Sequence, residues 1–377
     1  MLCILFACLN PSTIKMEIHV QDWPRAYGTP LATATFRQQL SDFCVDEDLR
    51  FEPSGEGAHH LLLIEKRNIN TDIVCHKLRR FAEVHPTDVG YAGKKDRFAI
   101  ARQWFSVQLP LLKEIDWSEF NDDEVTVLKA TRHDKKLRIG AVKQNHFAIT
   151  LRDLNFSQDY DKQALEQRLE QIQEHGFANY FGEQRFGHNG DNLTRGADLL
   201  LANKRLKNRN LQGLLFSAVR SFLFNQVLAK RIEANKFTEL LDGDYVQLDG
   251  SESGFTVQDM AQELPRFVAK DIHPTAPMPG RGRSQLLAKA AEFETAVLEP
   301  YHELIAALER KGLNGERRAI RVFPQNVILQ WHNDNTLELA FSLPKGAFAT
   351  SLLRELFALK THTQDTSNKE SYENIAE

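Results

Sequence analysis

Gly90-Tyr91-Ala92-Gly93-Lys94-Lys95-Asp96-Arg97-Phe98-Ala99 decides how this chain is read. A single carboxylate, Asp96, stands among cations and behind glycines, and the strand-like run Gln103-Trp104-Phe105-Ser106-Val107 follows closely. Glycine permits a close backbone approach or a positive φ, and Lys94, Lys95 and Arg97 favour the ionised form of an adjoining acid. A nucleophile or base working beside an anionic polymer requires such surroundings. The same residues also describe a solvated, charged turn between strands, and taken alone that turn is the commoner occurrence. The rest of the chain has to choose between them.

Upstream, Asp42-Phe43-Cys44-Val45-Asp46-Glu47 alternates as a strand does, with Phe43 and Val45 on one side. Pro53-Ser54-Gly55-Glu56-Gly57 reads as a hairpin-like connection into the apolar strand Leu61-Leu62-Leu63-Ile64. Thr71 is placed as the cap of a helix that carries Ile73, Val74, Leu78 and Phe81 at helical spacing, and His85-Pro86 closes it. Asp96 therefore falls in a loop between elements. Downstream, residues 125–130 and His146-Phe147-Ala148-Ile149-Thr150-Leu151 read as strands. Leu165, Leu169 and Ile172 then mark a helix stopped near Gly176.

A helical period dominates residues 179–319, with helices expected at 192–202, 211–234 and 285–308, and with Pro274, Pro277 and Pro279 as turns between them. Strands return at 320–323, 327–331 and 337–342, followed by a helix near 351–359 and a polar tail from about Thr361 with a disordered composition. Strand-rich ends around a helix-rich middle predict an α+β chain in which one domain is interrupted by another.

Composition bounds the function. With 377 residues, 42% hydrophobic and 26% charged, the chain is long enough for two globular domains. A net charge of −4 argues against a wholesale nucleic-acid coat. It leaves room for local basic surfaces such as Lys77-Leu78-Arg79-Arg80, Lys135-Lys136-Leu137-Arg138, Lys204-Arg205-Leu206-Lys207, and Arg317-Arg318 with Arg321. Cys3, Cys8, Cys44 and Cys75 form no C-x-x-C pair, which fits a reducing cytoplasm, and the histidines lack metal-ligand spacing, so no metal is expected. The apolar residues 1–9 lack the basic flank of a signal peptide, and Met16 reads as the natural start. No other segment approaches a membrane span.

Further segments are unusual for pure scaffolding. Asn179-Tyr180-Phe181-Gly182-Glu183-Gln184-Arg185-Phe186-Gly187 mixes aromatics, glycines and an arginine, suited to base stacking or to an aromatic knot at a domain junction. Lys136-Leu137-Arg138-Ile139-Gly140 runs toward Asn145-His146-Phe147, where Asn145 offers both donor and acceptor. Phe348 stands just before a helix cap in Leu343-Pro344-Lys345-Gly346-Ala347-Phe348-Ala349-Thr350-Ser351. Phe43, alone on its strand, is by residue type more often core than site.

In this order, and together with Ser217-Ala218, Leu223-Phe224-Asn225 and Pro274-Thr275, these segments resemble the tRNA pseudouridine synthase D family from about Pro30 onward. Phe43, Val45, Glu47, Gly55-Glu56-Gly57, His59, Asn70-Thr71 and the final Ile375-Ala376-Glu377 extend the likeness. The pairing of the Asp96 stretch with the 179–187 stretch is the specific part.

The resemblance implies isomerisation of uridine to pseudouridine, at position 13 of tRNA in bacterial members. It implies a pseudouridine-synthase core with a mixed or antiparallel sheet, interrupted by a helix-rich α/β insertion domain facing it across an RNA-binding cleft. The expected division is an N-terminal extension at 1–29, core at 30–178, insertion domain at 179–322, core again at 323–360 and a polar tail at 361–377. The family's catalytic aspartate falls on Asp96, its substrate contacts on Phe43, Asn145 and Phe348, and its stacking aromatic on Phe147. Arg37 replaces a lysine common in the family, and Lys95 and Arg97 join it as expected supporting cations; His146 stands where a small residue is usual. The implied partner is tRNA, with no cofactor, no membrane, no obligate protein partner, a monomeric state and a cytoplasmic location. The rivals are a non-catalytic RNA binder, to which a carboxylate beside phosphates is unhelpful, and a metal-dependent nuclease, which needs clustered carboxylates.

Overall fold

The structure, a computed structural model, describes residues 23–361. Expectations for residues 1–22, including Met16 as the start, and for 362–377 lie outside the described residues. Contacts divide the chain into one unit of Arg25–Asn179 with the chain from Arg321 onward, and another of Tyr180–Ile320 joined by Trp23 and Pro24. Residues 25–29 of the expected extension thus belong to the first unit. They are tied there by the Ala26 N–H donating to the Glu355 carboxylate (2.9 Å) and Arg25 Nε donating to the Arg354 carbonyl (2.7 Å).

The first unit is built on a ten-stranded mixed sheet. Its strands include β1 (Ala32–Phe36), β2 (Phe43–Leu49), β3 (His59–Arg67), β4 (Val89–Tyr91), β5 (Ile100–Gln108), β6 (Val125–His133) and β7 (Val142–Phe156). The order runs Gln325–Asn333, Thr336–Pro344, β7, β2, β5, β3, β6, with β4 beside β5 and β1 between β7 and Phe357–Thr361. Neighbours are antiparallel except β2 with β5 and β1 with Phe357–Thr361. β2 buries alternate residues, as a strand with one core face must, whereas β3 buries both Leu61 and Leu62 and reads as a continuous apolar run.

Residues directly opposite across strands share a face. On one face, α1 (Thr71–Ala82) packs Val74, Leu78 and Ala82 against Leu62, Ile64, Phe105 and Val107. Farther along the same face, α2 (Lys162–His175) and the helix Ala349–Leu356 pack Leu165, Leu169, Leu352 and Leu353 against Val45, Ile149, Leu339 and Phe341. Between these apolar clusters the face carries Glu47, Lys66, Gln103 and Asn145, each fixed in phase by the register of β2, β3, β5 and β7.

Two local expectations change in this unit. Asn70 is the N-cap of α1, and Thr71 is its first helical residue, which frees the Thr71 hydroxyl for another contact. The final helix ends at Leu356 and not near 359, because Phe357–Thr361 becomes a strand paired with β1. That pairing joins opposite ends of the chain, so no local periodicity signals it.

The second unit has helices at Asp191–Leu201, Arg209–Glu233, Met260–Val268, Ala288–Leu298 and His302–Arg310. It also holds a four-stranded sheet in the order Gly254–Thr256, Tyr245–Leu248, Ile272–Met278, Glu316–Ala319. An α/β insertion domain was implied by the resemblance, but the residue pattern did not locate these strands: Pro274 and Pro277, expected in turns, both lie within the strand Ile272–Met278. Proline is tolerated there because the strand changes partner: Pro274 is its last residue against Tyr245–Leu248, and from Thr275 it pairs with Glu316–Ala319. The chain leaves and re-enters the first unit through an antiparallel ribbon of Phe177–Ala178 with Arg321–Val322.

Candidate active site

Asp96 lies in the loop between β4 and β5, and its side chain retains 39% of its exposure. Arg37 donates to its Oδ2 at 2.5 Å. Arg37 follows directly on β1 and adopts the left-handed region (φ 59°), uncommon for a residue with a Cβ. In that conformation its guanidinium lies 4.9 Å from the Phe36 ring centre and 4.2 Å from that of Phe43. The arginine is therefore held by aromatic faces as well as by the carboxylate.

The other expected cations go elsewhere. Lys94 pairs with Asp72 at 2.7 Å, Lys95 with Glu47, and Arg97 donates to the Asn68 carbonyl at 3.4 Å from an exposed position. Adjacent residues of an extended loop point to different sides, so neighbours in sequence need not be neighbours of the carboxylate. The Lys95–Glu47 pair is buried, and burial raises the Glu47 pKa despite the opposing pull of Lys95.

Buried side chains clamp the loop backbone. Lys66, with 0% exposure, donates to the carbonyl of Asp96 itself (2.6 Å) and to that of Ile69 (2.8 Å). Burial pushes its pKa down to about 8, with Asp96 pulling upward and Lys95 adding to the depression. Thr71 Oγ1 accepts from the Lys95 N–H (3.1 Å) and donates to Gln103 Oε1 (3.0 Å), while Gln103 Nε2 donates to the Gly93 carbonyl. Lys66 and Gln103 were not singled out from sequence. The signal was available in the phase of β3, where Lys66 continues the inward set of Leu62 and Ile64.

The two glycines of the stretch differ. A Cβ on Gly90 would lie 2.5 Å from the Leu137 carbonyl oxygen, whereas one on Gly93 would meet nothing closer than 3.8 Å. The close approach that Gly90 permits is thus by the chain's own segment at 136–137.

Phe43 and Phe147 are 4% and 9% exposed and belong to the apolar cluster. Phe147 stacks on Phe341 (5.4 Å between centres) and lies 6.0 Å from Phe43. Asn145 is opposite Glu47 on one side and Leu343 on the other, and its side-chain oxygen is buried without a hydrogen-bond donor among the described residues. His146 points to the opposite face, where its Nδ1 lies 2.7 Å from Ser342 Oγ, so it does not crowd this pocket face. Phe348 is half-buried at the N-terminus of the helix Ala349–Leu356. The structure therefore brings together Arg37, Phe43, Glu47, Lys66, Lys95 and Asp96 by direct contacts, sets Asn145 and Phe147 beside them on the same sheet face, and leaves Arg97 outside. Among the described residues no group of three or more His, Cys, Asp and Glu is arranged to hold a metal ion, and no helix is long and apolar enough to cross a membrane.

Comparison with known proteins places these features in a family. The model of tRNA pseudouridine synthase D (TruD) matches residues 24–203 and 190–356. The tRNA pseudouridine synthase D of Proteus mirabilis is 41% identical over 335 residues, covering 88% of this chain and 94% of that protein. That of Shewanella oneidensis is 45% identical over 331 residues, 88% of this chain and 87% of its own. That of Cellvibrio japonicus is 43% identical over 354 residues, 93% and 97% respectively. A crystal structure of the "Putative tRNA pseudouridine synthase D" from Methanosarcina mazei shares the fold with a TM-score of 0.69 at 22% identity, over 89% of this chain and 95% of that one.

Proposed function

The chain belongs to the tRNA pseudouridine synthase D family, and from that membership we propose that it isomerises uridine 13 of tRNA to pseudouridine with Asp96 as the nucleophile. The reaction breaks the N1–C1′ bond, turns the freed uracil and joins C5 to C1′. The C5 proton is lost and N1 gains one, so the base is isomerised with no net redox change and no group supplied from outside. One ionised carboxylate suffices for the sugar half of this exchange, either by attacking C1′ or by promoting a glycal.

The observation that supports the reading best is the accessible carboxylate of Asp96, bonded through one oxygen to Arg37. Its backbone is anchored from beneath by Lys66. The arginine stabilises the anion and fixes its direction, while Oδ1 accepts no hydrogen bond among the described residues and is left to act on the sugar. The freed base must neither diffuse away nor meet water, and a flipped nucleotide enclosed by protein meets that need. Asn145, whose side-chain oxygen is buried without a donor among the described residues, is suited to accept the uracil N3–H. Phe147 in the buried stack and half-buried Phe348 are the aromatic walls of this reading.

The test is direct. Asp96→Asn and Asp96→Ala are expected to abolish pseudouridine formation in a tRNA transcript while leaving RNA affinity within about threefold; substantial turnover by either variant would overturn the assignment. Activity is expected to persist in excess chelator. Mapping pseudouridine in tRNA from cells with and without the gene tests the position: loss at 13 supports it, and loss only elsewhere refutes it.

A further inference from the structure

The second unit gathers positive charge around the C-terminus of the helix His302–Arg310 without neutralising it. Helices Asp191–Leu201 and His302–Arg310 pack together, and the residues after each come into contact: Lys311 Nζ donates to Asn203 Oδ1 (2.9 Å) and to the Lys204 carbonyl (2.8 Å). Arg281 joins from the sheet side. Its Nε donates to the Glu309 carbonyl (2.8 Å), and its backbone is strapped to the 313–315 turn by hydrogen bonds with Leu313 (2.6 Å) and Gly315 (2.8 Å). Arg205 and Arg310 act on Lys311 as like charges, second and third to burial in lowering its pKa.

Other cations of this unit do have acid partners: Lys230 with Glu233 (2.6 Å), Arg266 with Glu263 (2.9 Å) and Asp271 (2.7 Å), and Arg317 with Glu294 (2.7 Å). Isolated ones such as Arg195 and Lys289 lack a carboxylate in ion-pair distance among the described residues, without being crowded by like charges in any hydrogen-bonded cluster. Lys204, Arg205, Arg281, Arg310 and Lys311 have no carboxylate in ion-pair distance among the described residues. Attraction to helix C-terminal carbonyls accounts for Arg310 and Lys311. The same carbonyls hold Arg281, which bonds that of Glu309, but they do not account for the crowding of like charges from separate segments around Lys311. Arg281 and Lys311 are held in place by neutral acceptors, and the charge of all five is uncompensated by carboxylates among the described residues, in a chain of net charge −4.

We propose that Lys204, Arg205, Arg281, Arg310 and Lys311 form a docking surface for the phosphodiester backbone of the tRNA substrate. The inference rests on the function proposed above and extends it to a part of the RNA engaged by the insertion unit. A polyanion supplies the charge this surface lacks, and release of its counterions drives the contact. The surface contributes affinity and placement with no base readout and no part in the chemistry.

The experiment compares wild type with Arg205→Glu/Arg310→Glu and with Arg205→Gln/Arg310→Gln on a full tRNA transcript. Both positions are exposed, and a thermal scan establishes that the variants are folded. The expected result is a Kd at least about tenfold higher for the Glu pair and smaller but measurable weakening for the Gln pair. The slope of log K against log salt should become shallower by about 2, with kcat at saturating tRNA unchanged. Kd and salt slope within twofold of wild type in both variants overturn the surface and leave the proposed chemistry standing. If wild type forms no pseudouridine, the function reading fails, and the same Kd comparison still decides whether this surface binds RNA.

Discussion

At the scale of single residues, Lys66 shows what positions the carboxylate. Its ammonium bonds to two backbone carbonyls, one of them belonging to Asp96. Lys66→Met keeps the approximate length and removes the donor, leaving buried carbonyls that each cost about 1–3 kcal/mol. We expect kcat to fall on the order of tenfold to a hundredfold through misplacement of Asp96, with tRNA affinity largely kept; an unaltered kcat would show the clamp to be dispensable. The lysine also sets a pH dependence. Its folded pKa of about 8 lies below the ordinary lysine value, about 10.4 in the unfolded chain. Between those values the unfolded state holds the extra proton. Stability of wild type relative to Lys66→Met should therefore rise with pH across that window, by on the order of 3 kcal/mol in full. Urea midpoints of the two proteins at pH 7.5 and 10 check the sign. Asp96 stood out through its neighbours in sequence, whereas Arg37 entered the expected supporting cations only through the family resemblance, alongside Lys95 and Arg97, which the structure sends elsewhere. Arg37 is separated from Asp96 by 59 positions, and only the pairing of distant strands brings the two together.

At the scale of elements, the inner and outer phases of β2 and β7 were readable, and so was the loop carrying Asp96. What periodicity concealed were segments whose partners lie far away: the strand Phe357–Thr361, and the proline-containing strand Ile272–Met278. Close approach between elements is equally silent in sequence. Gly196, within the helix Asp191–Leu201, is an instance: a Cβ there would lie 2.5 Å from the Leu215 carbonyl oxygen of the helix Arg209–Glu233. Gly196→Ala gains about 1 kcal/mol in helix propensity, but the helices must separate, at about 1–3 kcal/mol. The clash is with backbone, so the second effect is expected to win. Denaturant unfolding should show net loss of stability, and a gain would mean the helices part freely.

At the scale of the whole molecule, the insertion begins and ends at the ribbon of Phe177–Ala178 with Arg321–Val322. Replacing residues 180–320 by a short glycine-containing turn should leave the first unit able to fold cooperatively, as judged by a single unfolding transition that retains strand signal. Failure to fold would show that the sheet depends on its insertion. The strand-rich ends and helix-rich middle of the sequence had foreshadowed an interrupted arrangement, though not that β1 and Phe357–Thr361 would lie side by side. That adjacency sets an order of events during synthesis. Asp96 leaves the ribosome long before the partner of β1 has been made; at elongation rates of about 5–20 residues per second the delay is on the order of tens of seconds. The insertion, being contiguous, can fold during that interval. A nascent or prematurely terminated chain thus carries Asp96 on a sheet still missing the strand beside β1, and the proposed site is complete only once that strand is made.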